Sequence, residues 1–281
     1  MERKIRGRWY IFLLPTLTCF AIAFLIPFIM GIGLSFTEFK TVTNARFVGL
    51  ENYIAVFQNS DGFLSSLVFT VGFSVVTVIA VNLLAFFLAL TLVKRFRFRN
   101  FYRTVFFMPN LIGGIVLGYI FQLIINGILL NYGYTITSNW SFGFWGLVVL
   151  SIWQMSGYMM VIYIAGLTSI PSELYEAARV DGANSFRTLI SITLPSVMPS
   201  ITVCLFLSLT NSFKMFDQNL ALTAGAPSGK TEMLALDIYN TFYGRTGGEG
   251  IGQAKAVIFF LIVAIISFIQ LRITRSKEYD I

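Results

Sequence analysis

The sequence predicts an all-α integral membrane protein with six transmembrane helices. Of its 281 residues, 56% are hydrophobic and only 12% are charged, against about 25% charged in ordinary soluble domains. The apolar residues also gather in long runs that contain no charge. Because a soluble domain of this size needs a charged surface, the composition excludes a cytosolic enzyme, a secreted disulfide scaffold and a disordered chain.

The scarcity of histidine and cysteine excludes several kinds of catalytic and metal site. The chain has no histidine, which excludes histidine-based zinc sites, haem ligation by histidine and Ser-His-Asp triads. Its two cysteines, Cys19 and Cys204, lie in apolar runs and indicate small core residues rather than a metal pair or a disulfide. We therefore predict no catalytic residue and no metal site.

The spans follow from the charge-free runs, since a hydrocarbon core of roughly 30 Å needs about 20 helical residues. The run from 104 to 172 is too long for one helix, and it divides at a segment between 126 and 143 that is rich in Gly, Asn, Ser, Thr and Tyr. The predicted spans are 10–36, 64–93, 104–130, 143–168, 195–223 and 254–273.

Lysine and arginine set the orientation. Apart from Lys214, which lies within the fifth span, 14 of these residues fall within or beside the spans' ends on the side of the two termini and 5 on the opposite side, which predicts both termini in the cytoplasm. The first apolar run is too long for a signal-peptide core and is read as a retained helix. We expect residues 1–63 to form a tail, first helix and outer loop, and residues 64–281 a membrane core with a cytoplasmic loop at 169–194.

The net charge of +7 indicates basic loops at a membrane surface rather than a nucleic-acid partner. The densest of these loops, 94–103, is expected to contact anionic lipid headgroups.

The cytoplasmic loop begins with a predicted helix at residue 172. Ser172 is suited to cap it, and Glu173 and Glu176 lie near its positive N-terminal end. Spacings of three and four residues place three small or apolar side chains on one face, namely Leu174, Ala177 and Ala178. The helix would therefore be amphipathic and able to approach a partner surface closely.

Gly182 is expected to end this helix, because glycine adopts the positive φ that a helix C-terminus often requires. Asn184 or Ser185 can cap a second helix that runs to Pro195. The local sequence therefore predicts a helix, a turn and a second helix on the cytoplasmic side.

The same segment contains a known signature. Its residues match the pattern EAA-x3-G-x9-I-x-L-P at Glu176, Ala177, Ala178, Gly182, Ile192, Leu194 and Pro195. This pattern resembles the signature of ABC importer permease subunits, in a loop before the penultimate span as in that family. The resemblance implies a type I ABC importer transmembrane domain (MetI-like). It also implies a coupling helix that docks on an ATPase subunit through Glu173, Glu176, Ala177, Ala178, Asp181 and Gly182.

Further segments resemble carbohydrate importer permeases of the maltose and glycerol-phosphate type. An F-D-x4-L-T-x-G-x-P-x3-T pattern is matched at Phe216, Asp217, Leu222, Thr223, Gly225, Pro227 and Thr231, and segments 106–113 and 49–53 also look familial. The likeness is to the F-like maltose permease. It implies a heterodimer with a second homologous permease, two ATPase subunits, an external sugar-binding protein and a carbohydrate substrate.

Residues 225–231 (GAPSGKT) look like a phosphate-binding P-loop but lack its spacing. Three residues rather than four separate Gly225 from Gly229, so the backbone cannot form the phosphate cradle. We interpret the segment as an outer turn. The chain is expected to carry no cofactor, with ATP and Mg²⁺ held on the separate ATPase subunits.

Polar side chains inside spans are costly unless they face water, a partner or a ligand. Amides, hydroxyls and aromatic rings suit a polyol, so the candidate substrate path consists of Gln122, Gln154, Tyr158, Tyr163, Asn211, Lys214 and Asp217. Packing between helices is the competing explanation for the amides and tyrosines. Lys214 and Asp217 are predicted to lie on one helix face and to pair.

Three alternatives remain open. An ABC permease could carry another solute, such as glycerol phosphate or an amino acid. An ion-coupled secondary transporter would need intramembrane carboxylates or histidines, and the predicted spans contain one Asp and neither Glu nor His. A membrane-embedded enzyme would need a catalytic constellation, and none is visible.

Overall fold

The computed structural model describes residues 9–58 and 62–278. Its contacts divide the chain into two compact units, Met1–Asp61 with Ile238–Phe260 and Gly62–Asp237 with Leu261–Ile281. The sequence places 238–260 with the membrane core, whereas the contacts group it with the first unit. The basic residues at 3–8, which count toward the predicted orientation, lie outside the described residues.

In the first unit, two helices form one apolar span. Helix α1 covers Trp9–Phe20 and helix α2 covers Ile26–Leu34, with a π-helical turn at Ala21–Leu25 between them. Pro27 explains the turn, because it has no N–H and leaves the carbonyl four residues earlier without its usual donor. The stretch Leu13–Leu34 is long and apolar enough to cross a membrane.

A small hairpin and a short helix follow this span. Strand β1 covers Thr37–Glu38, strand β2 covers Arg46–Phe47 and helix α3 covers Glu51–Gln58. The strands pair antiparallel. Asn52 of α3 is buried, and its Nδ2 donates to the carbonyls of Ser35 and Thr37 at 2.9 Å each. This amide therefore holds α3 to the end of the first span.

The second unit is built on two helices of 30 and 29 residues, α4 and α7. Its helices are α4 Phe63–Leu92, α5 Arg99–Phe107, α6 Gly114–Leu129, α7 Trp140–Thr168, α8 Ser172–Val180, α9 Ser185–Thr188, α10 Leu194–Ser196, α11 Met198–Phe213 and α12 Asp217–Leu222. The chain continues through α13 Leu234–Gly244 and α14 Glu249–Arg275.

Small side chains let α4 and α7 approach each other closely. Ala85 and Ala89 of α4 are fully buried, in one cluster with Met159 and Met160 of α7 and Cys204 of α11. Small residues are typical of helix interfaces in lipid, where close packing replaces the hydrophobic effect as the driving force. Of the two cysteines, Cys204 is buried as the sequence predicts, whereas Cys19 is exposed on α1.

The third predicted span, 104–130, is interrupted. The chain forms α5, then a 3₁₀ turn at Met108–Leu111, then extended backbone at Ile112 and Gly113 before α6 begins. Pro109 lacks a donor and starts the 3₁₀ turn, so the break has a local cause. Gly157 of α7 packs against the carbonyl of Phe106, and a side chain there would collide with it.

The fifth predicted span, 195–223, is also different. Helix α11 ends at Phe213, ten residues early, and α12 is a separate short helix. Upstream, the stretch Ser185–Ser196 meets Met198–Phe213 at a bend of 70°. Pro195 and Pro199 each remove an N–H at this point, which weakens the helical hydrogen-bond ladder.

Within the described ranges, five helices are individually long and apolar enough to cross a membrane. The bent pair makes a sixth if it is counted as one span. The six-span expectation therefore agrees with the structure when that bend lies within a single crossing.

Candidate functional site

The loop between α7 and α10 forms the helix–turn–helix that the sequence predicts. Helix α8 starts at Ser172, with Pro171 rather than Ser172 at the N-cap position. Glu173 lies in its first turn and Arg179 in its last. Each charge is opposite in sign to the helix-dipole end beside it and stabilises α8.

The buried face of α8 differs from the predicted one. Ala178 is buried, and Leu174 and Tyr175 are half-buried. Ala177 is exposed, although spacing predicts it on the same face as Ala178. Glu173 and Glu176 are exposed as well, so they share the outward surface of α8 with Ala177.

A Schellman turn ends α8 at Gly182. The Gly182 N–H donates to the Arg179 carbonyl at 3.1 Å, and the Ala183 N–H donates to the Ala178 carbonyl at 2.9 Å. This pair of bonds requires a left-handed residue between them, and Gly182 has φ +72°. A Cβ added to Gly182 would meet no atom of the described residues within 4 Å, so the demand for glycine is conformational rather than steric.

Side-chain contacts hold the start of the second loop helix and the π-helical turn that follows it. Asn184 caps α9, with Oδ1 accepting from the Arg187 N–H at 2.8 Å, as the sequence indicates. The Tyr175 hydroxyl lies 3.3 Å from the Thr193 hydroxyl. This contact joins α8 to the π-helical turn at Leu189–Thr193 and makes the loop one connected piece.

Two apolar side chains project from this loop into the surroundings. Val180 is 88% exposed and Phe186 is 71% exposed. Exposed apolar groups beside charged residues are typical of protein contact surfaces. Neither residue was predicted to be functional, although two large apolar residues in the mostly polar stretch 179–187 were the available signal. Asp181 and Gly182 are exposed next to them.

The predicted path residue Gln154 is buried in a hydrogen-bonded network. Its Nε2 donates to the Ile112 carbonyl at 3.2 Å, and its Oε1 accepts from Nε2 of Gln218 at 2.8 Å. Gln154 therefore links α7 to the α5–α6 break and to α12. Gln218 was not predicted, and its position beside Asp217 in a polar stretch was the only hint.

Gln122 fixes the end of α12, and Asn219 fixes the segment that follows this helix. Nε2 of Gln122 donates to the Leu222 carbonyl at 3.0 Å, at the C-terminus of α12. Asn219 is fully buried and binds the Thr231 carbonyl and the Met233 N–H at 2.8 and 3.0 Å. The P-loop-like segment is thus a turn whose end is hydrogen-bonded to Asn219, a residue that was not predicted to have a role.

Tyr163 also belongs to an internal network. Its hydroxyl donates to Oδ1 of Asn82 at 2.7 Å, and Nδ2 of Asn82 donates to the Ser208 hydroxyl at 2.8 Å. All three side chains are buried. Tyr158 is half-buried, with its ring 6.4 Å from that of Phe107.

The remaining path residues lie together at the interruption between α11 and α12. Asn211, Lys214 and Asp217 are all exposed. The predicted pairing on one helix face is wrong, because α11 ends at Phe213 and Asp217 begins the next helix. In the part of the chain that the structure describes, Lys214 and Asp217 form no ion pair.

Comparisons with known proteins agree with this architecture. The profile of the family described as binding-protein-dependent transport system inner membrane component matches residues 81–279. The "Probable starch degradation products transport system permease protein AmyD" of Thermoanaerobacterium thermosulfurigenes is 43% identical, over 98% of this chain and 96% of its own. The "Multiple sugar-binding transport system permease protein MsmF" of Streptococcus mutans is 30% identical, over 98% and 99%.

A solved structure shows the same fold. One chain in the crystal structure of a bacterial alginate ABC transporter, in complex with an alginate pentasaccharide-bound periplasmic protein, superposes with a TM-score of 0.82. The match covers 98% of this chain and 97% of that chain, at 21% sequence identity.

Proposed function

Because the chain belongs to the family of binding-protein-dependent transport system inner membrane components, we propose that it imports a sugar or oligosaccharide. It does so as a multi-pass permease subunit of an ATP-driven ABC importer. Membership confirms the predicted fold class, an all-α MetI-like membrane protein. The observation that carries the coupling role is the exposed surface of α8, which ends in the Gly182 turn.

The substrate class is supported by the relatives and by the polar residues of the second unit. Two relatives are named for starch degradation products and for multiple sugars. Asn211, Lys214 and Asp217 are exposed where α11 gives way to α12, and we place substrate contact there. Gln122, Gln154, Tyr158 and Tyr163 then shape the path by holding its helices in place.

The chain moves its substrate with energy from another polypeptide. We place ATP and Mg²⁺ on two separate ATPase subunits, which contact Glu173, Glu176, Ala177, Asp181 and Gly182, with Ala178 packing α8 from behind. The exposed Val180 and Phe186 enlarge this contact. The lysine and arginine distribution supports an orientation with both termini and residues 169–194 in the cytoplasm.

The remaining partners complete an importer. A second homologous permease forms a heterodimer with this chain, and a sugar-binding protein delivers substrate from outside. The exposed apolar side chains along the spans are accommodated by these neighbours and by lipid.

Uptake into proteoliposomes tests the substrate class. The tagged complex, purified from its host and supplied with binding protein and internal ATP, should accumulate labelled maltooligosaccharides. Glycerol 3-phosphate and amino acids are the competing arms, and selective uptake of either would replace the sugar assignment. Transport by this chain alone, driven by an ion gradient, would replace the ABC mechanism.

Cross-linking tests the docking surface separately. In a background of Cys19→Ser and Cys204→Ala, Ala177→Cys should cross-link to the ATPase subunit. Val42→Cys, equally a surface position but in the first unit, is the matched control and should not. A cross-link from Val42→Cys but none from Ala177→Cys would reverse the proposed orientation.

A further inference from the structure

A cleft of about 650 Å³ lies between the loop and the ends of two spans. Its walls come from the last turns of α4, the end of α7, and helices α8 and α9. The volume falls within the roughly 300–1,000 Å³ typical of small-molecule sites. Neither the coupling role nor the substrate path uses it.

We place the cleft at the level of a membrane surface. Helix α4 has 30 residues and is about 45 Å long at 1.5 Å per residue, whereas a hydrocarbon core is roughly 30 Å thick. Part of this helix must therefore lie beyond the hydrocarbon core, and we place its final turns in the headgroup region. Lys94 follows this helix end and lines the cleft.

The lining is divided into an apolar part and a cationic part. Phe87 and Leu90 of α4 form an apolar wall, and Phe87 is 63% exposed, so this wall is open to the surroundings. Lys94, which follows α4, and Arg179 of α8 both line the cleft and supply two positive charges. Among the described residues, neither cation takes part in an ion pair.

Several of the hydroxyls in the cleft already make hydrogen bonds within the protein. Thr91 donates to the Leu88 carbonyl at 2.8 Å, and Thr188 donates to the Asn184 carbonyl at 3.0 Å. An anion in the cleft would therefore be held mainly by Lys94 and Arg179. Guanidinium binds phosphate oxygens through paired N–H donors, and lysine adds a point charge.

We propose that this cleft binds the phosphate of an anionic phospholipid between Lys94 and Arg179, with an acyl chain lying along Phe87 and Leu90. The two charges favour an anion over a zwitterion, and the open apolar wall favours a lipid over free phosphate. A lipid held here connects α4 to α8. Its effect on ATPase coupling, though not its binding, rests on the proposed function.

Lipid binding to the purified complex tests the site. Native mass spectrometry should show tighter binding of phosphatidylglycerol than of phosphatidylcholine. Lys94→Gln with Arg179→Gln should weaken phosphatidylglycerol binding by roughly fivefold for each charge removed. Arg187→Gln with Arg275→Gln is the matched control, because both residues are exposed and basic and lie outside the cleft and outside the loop 94–103, and it should keep wild-type affinity.

Two outcomes would overturn the site. Equal losses of phosphatidylglycerol affinity in the cleft variant and in the control would show that general surface charge, and not the cleft, binds the lipid. Displacement of phosphatidylglycerol by millimolar inorganic phosphate would make it a free-phosphate site.

Photolabelling covers the case in which the variants do not assemble. A diazirine on the acyl chain of phosphatidylglycerol should label the wild-type peptide that contains Phe87 and Leu90. Absence of label there, together with a carbodiimide cross-link from Lys94 to an ATPase carboxylate, would assign the cleft to protein contact and end the lipid proposal.

ATP hydrolysis in nanodiscs separates the two proposals. Raising the phosphatidylglycerol fraction should stimulate the wild type and the control but not the cleft variant. Lipid binding that persists without any ATPase activity would contradict the importer function alone. Lipid dependence that is the same in all three proteins would contradict the cleft alone.

Discussion

Gln218 of α12 donates from Nε2 to Oε1 of Gln154 on α7 at 2.8 Å. Nε2 of Gln154 in turn donates to the carbonyl of Ile112, in the break between α5 and α6. One buried glutamine on a continuous helix therefore binds both the break between α5 and α6 and the short helix α12 that follows the second interruption. Lipid offers no replacement hydrogen bonds for such backbone, so irregular segments at membrane depth must be satisfied by protein.

The first prediction concerns this pair. Gln154→Leu or Gln218→Leu alone should lower the free energy of unfolding by about 1–3 kcal/mol, because each leaves a buried polar group unsatisfied. The double variant should lose less than the sum, with a coupling energy of about 0.6 kcal/mol, the typical value between membrane helices. Denaturant unfolding in detergent measures all three.

Gln58→Leu provides the control for that cycle. Gln58 is exposed at the end of α3, so its replacement should leave unfolding unchanged. Strictly additive losses at Gln154 and Gln218 would show that the two amides do not act together.

The second prediction concerns the turn at Gly182. Gly182→Leu forces a branched residue into φ +72°, at a cost of roughly 1–2 kcal/mol, and should distort the end of α8. We expect normal membrane insertion, lower uptake and ATP hydrolysis that no longer responds to substrate. Proteoliposome uptake and ATPase rates, compared at equal protein levels, measure this uncoupling.

Gly182→Asn distinguishes backbone conformation from side-chain volume. Asparagine tolerates the left-handed region, and the space beside Gly182 is open, so this variant should retain most of its transport. Wild-type uptake by Gly182→Leu would remove the coupling role from the turn.

The third prediction concerns the apolar side chains of the loop. Val180→Ser and Phe186→Ala should each weaken binding of the ATPase subunit, since burial of a Val or Phe side chain contributes about 1.5–3 kcal/mol. Retention of the ATPase during purification and a titrated dissociation constant measure the loss. Val42→Ser, an exposed valine in the first unit, should bind normally; equal weakening there would indicate a non-specific effect.

Hydropathy predicted the uninterrupted spans closely. The predicted span 64–93 appears as Phe63–Leu92, and 143–168 as Trp140–Thr168. Hydropathy alone did not predict the breaks at 108–113 and 214–216, because apolar composition is the same in a helix and in an interruption of one. The break near Pro109 has a local cause in that proline, but the close packing of Gly157 against Phe106 beside it is a contact between distant parts of the sequence.

The loop was more predictable than the path. Glu176, Ala177, Ala178 and Gly182 follow a local pattern whose turn is formed by neighbouring residues. The role of Gln154 depends on Ile112 and Gln218, which are 42 and 64 residues away. No periodicity of the sequence indicates such a partner, so a polar residue within a span was equally compatible with packing and with a path.

The last prediction separates substrate contact from helix packing. Asn211→Ala should raise the KM for uptake several-fold with little change in unfolding, because Asn211 is exposed at the end of α11. Gln122→Ala should do the opposite and lower stability first, since it removes the 3.0 Å bond to the Leu222 carbonyl. Uptake kinetics and thermal unfolding of both variants, measured on the same preparations, give the comparison. If Asn211→Ala leaves KM unchanged, substrate does not pass the junction of α11 and α12. If Asn211→Ala instead destabilises the chain as much as Gln122→Ala, its side chain packs against a partner subunit in the assembled transporter.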